Sequence, residues 1–305
     1  MELILFFQAL EPRALFRLGF SMINWCGDGP LYILLFPLLY WLRSPAIALR
    51  YGYLWGFAVL VMTVLKEHAG TLRPFLATPE QVAFLQYPLA GLYWFPDRQT
   101  LMEAYRQSPS FPSGHALFAT ALGLYVFAHT SSAGLRWLLL FYIVMIPLAR
   151  LYLGVHYLAD VLAGSGLGLG LFLLASGVKW EGISMYLARL GVRRWHRQVI
   201  LVGLLGSGLA LLSRGALVVL LVLLSYPLML TCTEQLRQRF VTVQSPGWRT
   251  ANAVGGCLGI GMIVAATAPL VSLGSLMSVP LVTAWVPLGC PLLVAQTTTS
   301  RRTQR

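Results

Sequence analysis

The chain has 305 residues, of which 57% are hydrophobic and only 10% charged, with a mean hydropathy of +0.72. A water-soluble domain carries about 25% charged residues, so burial in a core cannot account for the deficit and much of this surface must face lipid. The net charge of +12 points to membrane topology and away from nucleic acid, because the basic residues lie between apolar runs and are not gathered on a polar domain.

In chain order, residues 3–22 read as an amphipathic interfacial helix in which Arg13 and Arg17 interrupt the apolar pattern. Apolar runs long enough to cross a bilayer, which takes about 20 residues, follow at 24–43, 46–65, 114–130, 134–153, 155–178, 198–213, 215–235, 251–271 and 275–296. A second interfacial stretch covers 180–197. The expected fold is an all-α polytopic membrane bundle of about nine transmembrane helices. Its first domain spans 1–180, and an extension of about four helices, with no chemical motif of its own, spans 181–305. The N-terminus has no basic n-region of a cleavable signal, so the first spans are expected to direct insertion. Cys26, Cys232, Cys257 and Cys290 lack metal-ligand spacing and read as buried thiols.

With nine spans the termini lie on opposite sides. Arg43, Arg50, Arg136, the run from Lys179 to Arg197, Arg237, Arg239, Arg249 and the C-terminal arginines fall on one side, which the positive-inside rule makes cytoplasmic. The N-terminus is then outside and the C-terminus inside. The connection 67–112, about 45 residues with Tyr93, Trp94 and Phe95, is long enough to read as an outer lid or binding loop.

Ionisable residues at membrane depth or at helix ends are expensive and mark functional sites. Three such clusters reach the outer face together. Lys66 ends the second span, and Arg73-Pro74 follows. Phe111-Pro112-Ser113-Gly114-His115 opens the third. Arg150 closes the fourth, and His156 and Asp160 begin the fifth. Lys66, Arg73 and Arg150 make an anion clamp, with guanidinium groups suited to phosphate oxygens. Ser113 adds a hydroxyl donor, and Gly114 lets an anion approach a helix N-terminus. His156 and Asp160, four apart, are expected to share one helical face, with the carboxylate orienting the imidazole. His156 is then a candidate nucleophile and His115 a candidate acid–base. His68, His129 and His196 read as non-catalytic, and Glu67 as a local ion-pair partner of Lys66. Asp28, in Gly27-Asp28-Gly29, reads as a turn marker, with the lining of the outer cavity as the other option.

These three segments resemble the type 2 phosphatidic acid phosphatase superfamily. Its pattern is Lys, six residues, Arg-Pro; then Pro-Ser-Gly-His; then Ser-Arg, five residues, His, three residues, Asp. Lys66 to Pro74, Pro112 to His115, and Arg150, His156 and Asp160 fit it in order, with Ala149 standing where the family commonly has Ser. The resemblance implies a phosphoric ester hydrolase that needs no metal or other cofactor and works through a phosphohistidine. The substrate expected is a lipid phosphate or diphosphate, with membrane lipids as surroundings; a sugar phosphate of the glucose-6-phosphatase type is the alternative. A transporter or binding protein is a further alternative, but no convincing internal repeat supports it.

Overall fold

The computed structural model describes residues 1–10, 13–85 and 98–178, together with 250, 254, 255 and 258. Among these the regular structure is entirely helical: α1 (Glu2–Gln8), α2 (Arg13–Trp25), α3 (Gly29–Leu42), α4 (Pro45–Ala69), α5 (Pro74–Ala77), α6 (Arg98–Arg106), α7 (Gly114–Ala128), α8 (Ala133–Tyr152) and α9 (Leu158–Gly177). The helical run that begins at Ala46 and the helices Ala133–Tyr152 and Leu158–Gly177 are long and apolar enough to cross a membrane, and Gly114–Ala128 is a shorter apolar helix. The expected spans at 198–213, 215–235 and 275–296, all of 251–271 but residues 254, 255 and 258, and the interfacial stretch 180–197 lie outside the described residues, as do Tyr93, Trp94, Phe95 and His196.

Contacts divide the chain into two units. One joins Met1–Leu31 with Phe57–Gly177, and the other takes Tyr32–Gly56 with the remainder. In the second unit the Tyr51 hydroxyl donates to Tyr32 O at 3.1 Å.

Three sequence expectations change at the N-terminal end. The run 24–43 is not one helix, because α2 stops at Trp25, the chain turns through Cys26–Asp28, and α3 has 14 residues with Pro37 inside it. Asp28 N–H donates to Trp25 O and Gly27 N–H to Asn24 O, so turn chemistry in Cys-Gly-Asp-Gly overrides continuous hydropathy. Cys26 sits on this turn and is exposed, against the buried-thiol reading. Residues 3–22 form parts of two helices, both held against the first unit. Gln8 bonds Ala83 O and Tyr152 O, Arg17 Nε donates to Leu85 O, and Phe20 stacks on Tyr152 at 4.5 Å.

The centre of the first unit is set by how α7, α8 and α9 start, stop and meet. Ser113 and Ser132 cap α7 and α8, their hydroxyl oxygens accepting from Ala116 N and Leu135 N. At the far end of α8, Val155 N–H reaches Arg150 O and Gly154 N–H reaches Leu151 O, with Gly154 at φ +74. This is a Schellman termination with glycine in the left-handed position. A Cβ on Gly154 would also come within 2.5 Å of Ala83 O. Gly164 and Gly168 of α9, one turn apart, press against the backbone of Ser113 and Leu117, so α9 approaches α7 more closely than any side chain would allow. Beneath these ends lies an apolar cluster that includes Ile4, Phe20, Phe75, Phe84, Leu151, Tyr152 and Val155.

Candidate active site

The turn that ends α8 explains the spacing between Arg150 and His156. Arg150 is the residue whose carbonyl closes the Schellman motif, and His156 follows the motif directly. The chain therefore reverses within a few residues, and both side chains end up buried, at 1% and 2% exposure. His156 precedes α9, which begins at Leu158, so His156 and Asp160 do not share a helical face as expected from their spacing. They meet because Asp160 folds back over the first turn of α9, its Oδ2 accepting Tyr157 N–H at 2.8 Å. This places Oδ2 3.5 Å from His156 Nδ1.

Ser110, which did not stand out in the sequence, completes this group. Its hydroxyl donates to Asp160 Oδ2 at 2.5 Å and lies 3.4 Å from His156 Nδ1. Asp160 is also tied to the second motif through its backbone, since Ser113 N–H donates to Asp160 O at 3.0 Å. On the other side of the ring, Arg73 Nη1 lies 3.2 Å from His156 Nε2. Burial first, and then the charges of Arg150, Arg73, Lys66 and His115, hold the imidazole well below the usual histidine range. A neutral ring with a proton on Nδ1 and a lone pair on Nε2 fits both neighbours.

Arg73 is anchored by protein acceptors around its whole guanidinium. Nε donates to Tyr105 O and Ser108 O, Nη1 to Val155 O as well as toward His156, and Nη2 to Ser108 Oγ and Pro109 O. Lys66, in the last turn of α4, donates to the same Pro109 carbonyl. Two of the three expected clamp cations, Lys66 and Arg73, thus close around the chain at 108–109. Arg150 donates through Nη1 to Asn24 Oδ1 and through Nη2 to Tyr105 Oη at 3.1 Å. The Tyr105 ring lies 4.4 Å from the Arg73 guanidinium carbon and 5.5 Å from that of Arg150, so one aromatic ring serves two cations. Arg150 Nε and Asn24 Nδ2 are buried with no hydrogen-bond partner among the described residues. Two unused donors beside a guanidinium suit an anion.

Gly114 opens α7 behind Ser113, where a Cβ would meet Met62 Sδ at 3.3 Å. His115 follows, and its Nε2 lies 2.8 Å from Asp28 Oδ1. The turn residue is therefore also a partner of the second histidine. His68 and His129 bond the carbonyls of Val64 and Tyr125 one turn back, in keeping with their non-catalytic reading. Among the described residues no three His, Cys, Asp or Glu side chains cluster closely enough to hold a metal.

All eight residues singled out from the sequence belong to the first unit. Asn24, Asp28, Tyr105 and Ser110 join them there. Asp28 stands out in the sequence, in Gly27-Asp28-Gly29, as a turn marker or cavity-lining residue, and Ser110 has a nearby signal as a second serine just upstream of Pro112-Ser113-Gly114-His115.

Residues 47–184 match the model of the PAP2 superfamily. The chain thus carries a PAP2-superfamily region, and that region contains all three of the motifs. Among curated proteins, sphingosine-1-phosphate phosphatase 1 of Mus musculus is 29% identical over 159 residues, covering 49% of this chain and 31% of the relative. The matched region spans about a third of that protein's length. No solved structure matches the chain.

Proposed function

We propose that the protein is an integral membrane phosphatase that hydrolyses a phosphate monoester or diphosphate of a lipid at the extracytoplasmic face, through a phosphohistidine and without a metal. The observation that carries this reading is the two-sided arrangement of His156. Asp160 and Ser110 face Nδ1, while a guanidinium faces Nε2, the nitrogen that would attack phosphorus.

In this mechanism a phosphate oxygen takes over the Arg73 donor that now faces Nε2, which frees the lone pair beside a phosphorus atom. Lys66, Arg73 and Arg150, with the Ser113 hydroxyl and the backbone at Gly114, neutralise the equatorial oxygens. Nε2 forms a bond to phosphorus while the bond to the ester oxygen breaks, and that oxygen takes a proton from His115. Asp160 stabilises the positive charge left on the His156 ring. Water then attacks phosphorus, gives its proton to His115 and releases inorganic phosphate from His156.

A lipid substrate is favoured by α2, where Leu15, Leu18 and Met22 are exposed along one stripe of the helix that leads into Asn24. The name of the murine relative, a phosphatase of a sphingoid-base phosphate, supports the same class. We further read the whole chain as about nine spans with the N-terminus outside and the C-terminus cytoplasmic. Residues 1–180 form the catalytic membrane domain and 181–305 the extension.

The test is phosphate release by the full-length protein in detergent with a chelator present. The panel is phosphatidate, sphingosine phosphate, undecaprenyl diphosphate and glucose 6-phosphate. Preference for any of the lipids supports the proposal, and preference for glucose 6-phosphate replaces it with a sugar phosphatase. A strict divalent-metal requirement would sink the mechanism.

A further inference from the structure

The turn between α2 and α3 is remote in sequence from all three motifs, yet it touches two of their residues. Asn24 Oδ1 accepts from Arg150, and Asp28 Oδ1 lies 2.8 Å from His115 Nε2. The turn is built for this approach. A Cβ on Gly27 would come within 3.0 Å of both His115 Cδ2 and Ile146 Cδ1, so a larger residue would push the imidazole edge and Ile146 back by a few tenths of an ångström. The carbonyl of Cys26 accepts from the Tyr142 hydroxyl at 2.9 Å, tying the turn to α8. The turn is thus held from both sides, and Asp28 is presented to the ring without the freedom of a surface carboxylate.

We propose that Asn24–Asp28 is a fourth active-site segment, in which Asp28 is the positioning residue of the acid–base His115. This deepens the phosphatase reading above and rests on it. Asp28 accepts the proton on Nε2 as a hydrogen bond and keeps it there throughout the cycle. The proton on Nδ1 is then the one that moves, to the ester oxygen when the P–O bond breaks and back from water when the P–N bond breaks. The carboxylate also stabilises the imidazolium that exists before the first transfer and after the second. The charged groups acting on His115 are Asp28 at the turn, Arg150 on α8 and Arg73 beyond α4. Asp28 is the anion among them.

The experiment compares wild type, Asp28→Asn and Asp28→Glu as full-length protein in detergent, on a long-chain alkyl phosphate and on p-nitrophenyl phosphate. A general acid matters most when the leaving group is poor. Asp28→Asn should therefore lower kcat/KM for the alkyl phosphate about 100-fold, and for the nitrophenyl ester less than about threefold. Loss of the carboxylate also makes the imidazolium easier to deprotonate, so the alkaline limb of the pH profile should move to lower pH by about one unit. Asp28→Glu, which keeps the charge, should restore most of the alkyl phosphate activity and the wild-type limb. Equal losses on both substrates with an unmoved limb would reduce Asp28 to a structural turn residue and overturn the inference. If Asp28→Asn does not fold, Asp28→Glu decides alone: its limb stays and any loss falls mainly on the alkyl phosphate, or the inference fails. An inactive wild type removes the phosphatase reading together with this inference, whereas an active wild type with an indifferent Asp28→Asn removes only the inference.

Discussion

His156 and His115 each face a carboxylate in the same cluster, but the two pairs are built differently. At His156 both side chains are nearly inaccessible, at 2% and 5%, and the 3.5 Å gap is supplemented by the Ser110 hydroxyl. At His115 the contact is shorter, 2.8 Å, and the side chains are 21% and 31% exposed. A nucleophile that must stay neutral gains from burial, which penalises its charged form. An acid–base that exchanges protons with a leaving group and with water needs access and a partner that tolerates a charged ring. On the proposed mechanism these two environments suit different roles for chemically identical side chains, the more accessible ring being the one that exchanges protons.

The largest expected effect breaks this division outright. His156→Ala should lower turnover by about 10⁴-fold or more and abolish the phosphoenzyme on every substrate. His115→Ala should still form phosphoenzyme from p-nitrophenyl phosphate, as acid quench and phosphohistidine detection would show. A variant at 156 that still turns over would mean that the nucleophile is misassigned.

Asp160→Asn comes next. It keeps the shape but loses the charge that supports the ring, and should cost about 10³-fold in kcat. It also weakens the bond to Tyr157 N–H, so a lower thermal midpoint should accompany the kinetic loss.

The pH dependence of phosphoenzyme formation, followed in single turnovers, sharpens the contrast. On the proposed mechanism His156 acts when neutral, and burial with the surrounding cations keeps it neutral below the usual histidine range. Formation should therefore continue unabated as pH falls through about 6.5 and fail only at lower pH. Failure near the ordinary value would mean that the ring is wetter than its 2% exposure implies.

Two smaller effects complete the series. Gly154→Ala should destabilise the protein by about 1–3 kcal/mol, from its left-handed φ and the contact with Ala83 O, as thermal unfolding in detergent would measure. Because this turn separates Arg150 from His156, residual activity should fall on all substrates alike. Ser110→Ala should be the mildest, about tenfold in kcat, because Asp160 keeps its bond to Tyr157 N–H.

Much of the proposed site was legible in the sequence. Lys66, Arg73, Ser113, Gly114, His115, Arg150, His156 and Asp160 were identifiable because charged residues beside long apolar runs are costly and stand out. Their order along the chain was enough to expect them on one face. The apolar character of α4, α8 and α9 was legible for the same reason. Hydropathy sums over about 20 residues, however, and cannot register a turn that takes three. It therefore ran 24–43 together across Cys26–Asp28 and began the last described span before His156.

The remaining parts of the site follow from distance along the chain. Asp28 reaches His115 across 87 residues and Asn24 reaches Arg150 across 126, and neither pairing leaves a local pattern. Tyr105 looks like any aromatic in a polar loop until two arginines share its ring. Which reactive groups are present, and that they lie beside apolar helices, can be read along the chain, since both are properties of residue type and spacing. Which carboxylate faces which histidine emerges in three dimensions, because the Gly154 turn, the close Gly164–Gly168 contact and the Gly27 approach set the distances over which a hydrogen bond can form.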